Sequence, residues 1–203
     1  MTDLSGRVSL VTGGGRGIGR SIALALASAG SDVAVNYLSR EGDALATAGE
    51  IRGLGRRPIV VCGDVSKSGD AGKLVSAVEA GLGPVDILVN NAGRVLVESM
   101  EQMSETSWNE IIQVNLSSVF LMTQPVFPTM RARKWGRIIN LTSVAAQAGS
   151  MMAVHYSAAK AGVIAATKSY ARQLAKEGVT VNAISPAPSP PKWWPPIPTS
   201  SRT

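Results

Sequence analysis

Tyr156 and Lys160 stand four residues apart in Tyr156-Ser157-Ala158-Ala159-Lys160. On a helix that spacing puts a phenol and an ammonium on one face. A free phenol, with a pKa near about 10, exchanges protons poorly at neutral pH, and a neighbouring cation favours its ionised form. The pair could therefore give or take a proton. Ser143 strengthens this reading, because it stands thirteen residues before Tyr156 at the end of an expected strand. Asn115 falls in the long helical stretch before it. A hydrolase built on Ser143 and His155 is the competing chemistry. It fails on context: Leu141-Thr142-Ser143-Val144-Ala145 is not a nucleophile elbow, and His155 is expected to border a pocket or the surface.

A second group of residues could hold an anion. Thr12-Gly13-Gly14-Gly15-Arg16-Gly17-Ile18-Gly19 follows one short apolar run and opens a stretch with apolar residues at helical spacing. Glycine there allows a tight turn and close approach to a pyrophosphate, and the helix start offers free N–H groups. A dinucleotide site is expected. At the end of the second expected strand, Val33-Ala34-Val35-Asn36-Tyr37, no carboxylate stands ready for a ribose 2′-hydroxyl. Arg16 and Arg40 could instead pair with a 2′-phosphate, which favours NADP(H), with Asn36 and Tyr37 lining the same site. The alternative is that both arginines are ordinary surface residues.

These groups need a scaffold. Apolar runs at 7–12, 32–36, 58–62, 85–89, 137–142 and 179–184 alternate with helical patterns at 18–29, 40–54, 69–82, 104–134 and 155–177. Strands that alternate with helices, and are apolar throughout rather than at every second residue, argue an α/β fold with a doubly wound parallel sheet between two helical layers. Right-handed crossovers bring the loops to one sheet edge, where ligands bind.

Composition narrows the partners. With 203 residues and 45% apolar content, one domain is expected. No apolar run reaches membrane-spanning length and the start lacks a signal peptide, so a soluble cytoplasmic protein is expected. One histidine and one cysteine leave no zinc cluster, and Cys62, inside an apolar run, is expected to be buried. The net charge of +6 is uneven: residues 111–203 carry ten basic side chains and one acid, Glu177. The bases are scattered without interleaved aromatics, which argues a solvated face or an acidic protein partner rather than nucleic acid.

Taken together these residues resemble the short-chain dehydrogenase/reductase family over 5–186. Thr12 to Gly19 looks like its cofactor loop, Asp64-Val65 like its adenine-contacting pair, and Asn90-Asn91-Ala92-Gly93 like its sheet-stabilising motif. Asn115, Ser143, Tyr156 and Lys160 match the order of its catalytic tetrad. The resemblance implies that Tyr156 is the proton donor and that Ser143 hydrogen-bonds the substrate carbonyl. Lys160 would bind the nicotinamide ribose, and Asn115 would hold a water. It also implies cofactor contacts from Asp64, Val65, Asn91, Ala92, Gly93, Tyr156, Lys160 and Pro186. Asn36-Tyr37, 90–93 and 157–162 look most like 3-oxoacyl-(acyl carrier protein) reductases. Acidic acyl carrier protein could then be steered by Arg131, Arg133, Lys134 and Arg172. Helices 104–134 and 155–177 are the pair through which the family forms dimers and tetramers.

After Ile184 the pattern changes. Seven of eleven prolines fall within 186–198, and Pro186-Ala187 replaces the family's Pro-Gly. Repeated proline forbids helix and strand ladder, so 187–203 is expected to be an extended or disordered tail. Trp193 and Trp194 could pack on the sheet edge or serve as a peptide segment, or the stretch could come from a disrupted reading frame. The family's substrate lid and last strand are expected to be missing. Three functions stay open: an NADPH-dependent ketone reductase, a sugar, alcohol or steroid dehydrogenase, and a cofactor-binding remnant without turnover.

Overall fold

The computed structural model describes residues 3–186. The expectations about 187–203, including Trp193 and Trp194, lie outside the described residues. Six strands, β1 (Val8–Val11), β2 (Asp32–Tyr37), β3 (Pro58–Cys62), β4 (Ile87–Asn90), β5 (Gly136–Leu141) and β6 (Val179–Ile184), form one sheet in the order β3-β2-β1-β4-β5-β6. Every pairing is parallel. The order reverses between β1 and β4, and that switch point is where an open α/β sheet leaves a crevice at its carboxyl edge. Helices α1 (Gly17–Ser28), α2 (Glu41–Gly53), α3 (Ser68–Gly81), α4 (Glu105–Ile112), α5 (Ser118–Ala132), α6 (Ala145–Ala148) and α7 (Val154–Leu174) make the connections.

Continuous apolar strands are what a doubly covered sheet requires. All four residues of β1 and of β4 are buried. Two core clusters result. One joins Leu10, Leu88 and Ile138 to Leu74, Met122 and Met130, and the other joins Val11, Val33 and Val89 to Ala23, Ala27 and Ile51. Each fully buried aliphatic side chain contributes about 1.5–3 kcal/mol.

Two sequence expectations are corrected here. The stretch 104–134 is not one helix: a π-helical turn at Gln113–Ser117 separates α4 from α5. Such a turn carries an extra residue, and Asn115 sits in it. Cys62 is exposed, not buried. It is the last residue of β3, the edge strand of the sheet, where the helical cover of the sheet face runs out.

The amino edge of the sheet is tied by charge. Asp86 accepts from the Val8 N–H at 3.0 Å, from Arg133 at 2.9 Å and from Arg7 at 3.3 Å. Arg7 and Arg137 both stack on Trp135, at 3.7 and 4.5 Å from its ring centre. At the other edge, buried amides link sheet to helix. Asn90 donates to Asn140, which donates to Thr167 of α7, at 2.8 and 2.9 Å. This chain fixes the height of α7 against β4 and β5.

Candidate active site

The glycine loop between β1 and α1 is held from two sides. Gly13 (φ +61°) donates its N–H to Asn36 Oδ1 at 3.2 Å, and Asn91 donates to the Thr12 and Gly13 carbonyls at 2.8 and 3.2 Å. Thr12 Oγ1 in turn accepts from the N–H groups of Asn91 and Ala92 at 3.0 and 2.9 Å. Gly19 shows why its position has no side chain. A Cβ there would lie 2.3 Å from the Gly13 oxygen and 2.5 Å from Asn91 Nδ2. Arg16 precedes α1 without capping it, so first-turn N–H groups remain for an anion.

In front of the loop is a cavity of about 760 Å³, at the switch point. Gly13, Gly15, Arg16, Gly17, Ile18 and Gly19 line its floor. Asn36, Tyr37 and Arg40 close one end, Asp64 and Val65 line the far wall, and Asn91, Ala92 and Gly93 lie beside β4. Gly14 is not in the lining; its Cβ position faces the Val11 carbonyl and Val35. Pro186 follows β6 and does not line the cavity. Asn36 is buried and spends its amide on the Val61 and Gly63 carbonyls, so it shapes the wall. Tyr37 donates its hydroxyl to Glu41 at 2.9 Å, and that bond pushes its pKa up to about 12. Burial pushes the Asp64 carboxyl up, but hydrogen bonds from the Ser66 hydroxyl and N–H outweigh it and hold the group below its ordinary value. Asp64 is thus an oriented carboxylate.

The four reacting candidates gather at the same carboxyl edge. Ser143 lies two residues past β5, and its Oγ accepts from the Ala145 N–H at 3.2 Å. Tyr156 is in the first turn of α7, half-buried. Lys160, one turn on, is 4% exposed. Its Nζ donates to the Leu141 carbonyl at 2.8 Å and lies 5.8 Å from the centre of the Tyr156 ring. Burial lowers its pKa from 10.5 to about 8. Asn115 is buried in the π turn, where it accepts from the Arg94 N–H at 3.2 Å and donates to the Arg94 carbonyl at 2.8 Å. It therefore clamps the segment after β4. Gly93 must be glycine there, since a Cβ would lie 2.6 Å from Asn115 Oδ1.

This arrangement fits a dinucleotide by its own geometry. Gly17, with φ +54°, has nothing within 4 Å of its Cβ position, so the loop opens toward the cavity. A family model described as short chain dehydrogenase matches residues 7–192. The chain belongs to that family.

This short-chain dehydrogenase is 43% identical over 178 residues to the 3-oxoacyl-[acyl-carrier-protein] reductase FabG of Staphylococcus epidermidis, covering 88% of this chain and 73% of that one. It is 47% identical over 180 residues to the acetoacetyl-CoA reductase of Rhizobium meliloti, covering 89% and 73%. A crystal structure described as a short-chain alcohol dehydrogenase from Sinorhizobium meliloti superposes with a TM-score of 0.88 at 39% identity, over 91% of this chain and 73% of that one. Oxidoreductase chemistry with a nicotinamide cofactor goes with the family. When bound, that cofactor carries the hydride. The residues that would hold it are those of the glycine loop and the cavity wall, with Ser143 and Tyr156 at the same sheet edge.

Sequence reasoning missed several residues. Ser39 lines the cavity beside Arg40, and its place just past β2 was a usable signal. Arg94 and Glu110 pair across the cavity mouth, joining α4 to the segment after β4. His155 is corrected outright. It borders neither pocket nor surface but is fully buried. Arg131, Arg133, Lys134 and Arg172 sit at the amino edge, Arg133 on Asp86 and Arg131 3.9 Å from Glu177. Arg172 is about 24 Å along α7 from Tyr156. No helix among the described residues is long and apolar enough to cross a membrane, and no acid, histidine and cysteine cluster there could hold a metal.

Proposed function

We propose that the protein uses NADPH to reduce the 3-keto group of an acyl thioester to a secondary alcohol. The observation that carries this reading is the position of Lys160, whose ammonium is held at the end of β5 beside the Tyr156 ring. A cation fixed there favours the phenolate left when Tyr156 gives up its proton. Ser143 donates to the substrate oxygen as negative charge grows on it. The two curated relatives are both named for 3-oxoacyl thioester reduction, which supports that substrate class.

The preference for NADPH rests on Arg16, Ser39 and Arg40 lining the cavity where β2 ends, with Asn36 in place of an acid. Arg40 also lies 3.8 Å from Asp43, an exposed pair worth little. A 2′-phosphate would displace that contact readily. Delivery by acyl carrier protein belongs to the same reading, with the basic amino edge steering an acidic carrier at a distance. So does a cytoplasmic homodimer or homotetramer; Phe120 of α5, 52% exposed, supports an interface there.

The test is NADPH oxidation with acetoacetyl-CoA. Turnover that Tyr156→Phe lowers by at least a hundredfold is expected, with Kd for NADPH at least tenfold below that for NADH. Equal affinities would remove the NADPH preference. Tight NADPH binding without turnover would leave a cofactor-binding protein. Charge reversal at Lys134 and Arg172 should raise KM for a carrier-bound substrate and leave the CoA thioester unaffected; an unchanged KM would remove carrier steering.

A further inference from the structure

His155 is the only histidine in the chain, and it is completely buried next to Tyr156. The first N–H groups of a helix have no partner within it and need an acceptor from elsewhere. At the start of α7 the flanking Ala153 supplies none from its side chain. The acceptor comes instead from inside the first turn: His155 Nδ1 receives the N–H of Tyr156 at 3.0 Å. That bond requires Nδ1 to be bare, which places the neutral ring's proton on Nε2.

Nε2 faces Glu98 Oε2 at 3.4 Å. Both atoms are buried and neither has a hydrogen-bond partner; they face each other without being bonded. Glu98 belongs to the segment between β4 and α4 that starts at the cavity. Its own N–H donates to the Met152 carbonyl at 2.8 Å, just before α7. Glu98 thus stitches this segment to the start of α7 with its backbone and aims its carboxylate at the histidine. A buried carboxyl oxygen and a buried ring nitrogen left without partners are costly, which favours their pairing with each other.

We propose that His155 is a positioning residue for Tyr156, and that Glu98 fixes its tautomer and ring orientation. Proton delivery by Tyr156 depends on the phenol being held within a fraction of an ångström of the substrate oxygen. The His155 bond fixes the backbone from which that phenol projects. The Glu98 contact, at 3.4 Å, is long for an N–H···O bond and closes with a shift of a few tenths of an ångström.

This inference rests on the proposed reductase reading, and its test has an arm that needs no turnover. Labelling the protein with ¹⁵N-histidine gives signals from one ring. The expected result is a neutral imidazole protonated at Nε2, with an Nε2–H that exchanges slowly and shifts in Glu98→Gln. A ring protonated at Nδ1, or one averaging between tautomers, overturns the proposal whether or not the enzyme turns over. In kinetics, His155→Leu and Glu98→Leu should each lower kcat about ten- to a hundredfold while Kd for NADPH stays within twofold. The double variant should recover part of the thermal stability that each single variant loses, because neither Glu98 nor His155 is left facing an apolar side chain, but not kcat, because the Tyr156 N–H still lacks its side-chain acceptor. His155→Asn retains an acceptor for the Tyr156 N–H and should restore kcat to within about fivefold. A double variant that recovers kcat together with stability would mean the pair is structural only and would sink the assignment.

Discussion

Lys160 Nζ donates to the Leu141 carbonyl at 2.8 Å while lying 5.8 Å from the centre of the Tyr156 ring. One ammonium thereby joins the end of β5 to the face of α7 that carries Tyr156. Burial works against that charge and lowers its pKa to about 8.

The first prediction concerns pH. Between about 8 and 10.5, Lys160 is neutral in the folded protein and still charged in the unfolded chain. The unfolded state then binds more protons, so this residue's contribution to stability rises with pH across that window, by on the order of 3 kcal/mol. Below pH 8 the burial cost is present in full. Lys160→Met should therefore be more stable than the parent at pH 7, lose the rise above pH 8, and be inactive. Urea unfolding from pH 6 to 10 tests this, and an unchanged pH slope in the variant would refute it.

Two glycines of one loop should respond differently to alanine. Gly19→Ala places a Cβ against the Gly13 carbonyl at 2.3 Å, which forces the loop to move. Overpacking of this kind costs about 1–3 kcal/mol, and NADPH affinity should fall more than tenfold. Gly17→Ala meets no atom within 4 Å and suffers only its φ of +54°, a cost of about 1–2 kcal/mol. Titration calorimetry showing the same loss of affinity for both would contradict the packing explanation.

Asp86→Ala should lower stability by about 1–3 kcal/mol, since it leaves the Val8 N–H and two guanidinium groups without their acceptor. The site is at the amino edge, so NADPH Kd should not move. A shifted Kd would show that the two edges are coupled.

Asn140→Leu cuts the buried chain from Asn90 to Thr167. A stability loss of about 1–3 kcal/mol is expected. Because Thr167 is on the same helix as Tyr156, kcat should fall as well. Normal kcat with lowered Tm would show that α7 is positioned by its apolar contacts alone.

Much of this was legible because it is local. The strand, glycine turn and helix at 8–28 are written in consecutive residues, and Tyr156 and Lys160 share a face through helical spacing alone. Strands β2, β3 and β6 fall almost where their apolar runs are. Where reading failed, the answer depended on distant residues. Cys62 sits in an apolar run, yet its exposure depends on β3 being at the sheet edge. Arg133 reads as a free surface cation, but Asp86, far away in sequence, takes it. The π turn at Gln113–Ser117 has no periodicity of its own that short apolar spacing could reveal.

The sequence by itself determined the parallel α/β sheet, the glycine turn between β1 and α1 and the shared helix face of Tyr156 and Lys160, because short-range periodicity and backbone stereochemistry act within a few residues. Only the tertiary structure decided the burial of His155 against Glu98, the desolvation of Lys160 and the clamp of Asn115 on Arg94. Burial and hydrogen-bond partners are properties of the packed whole. They exist only once segments remote in sequence have met.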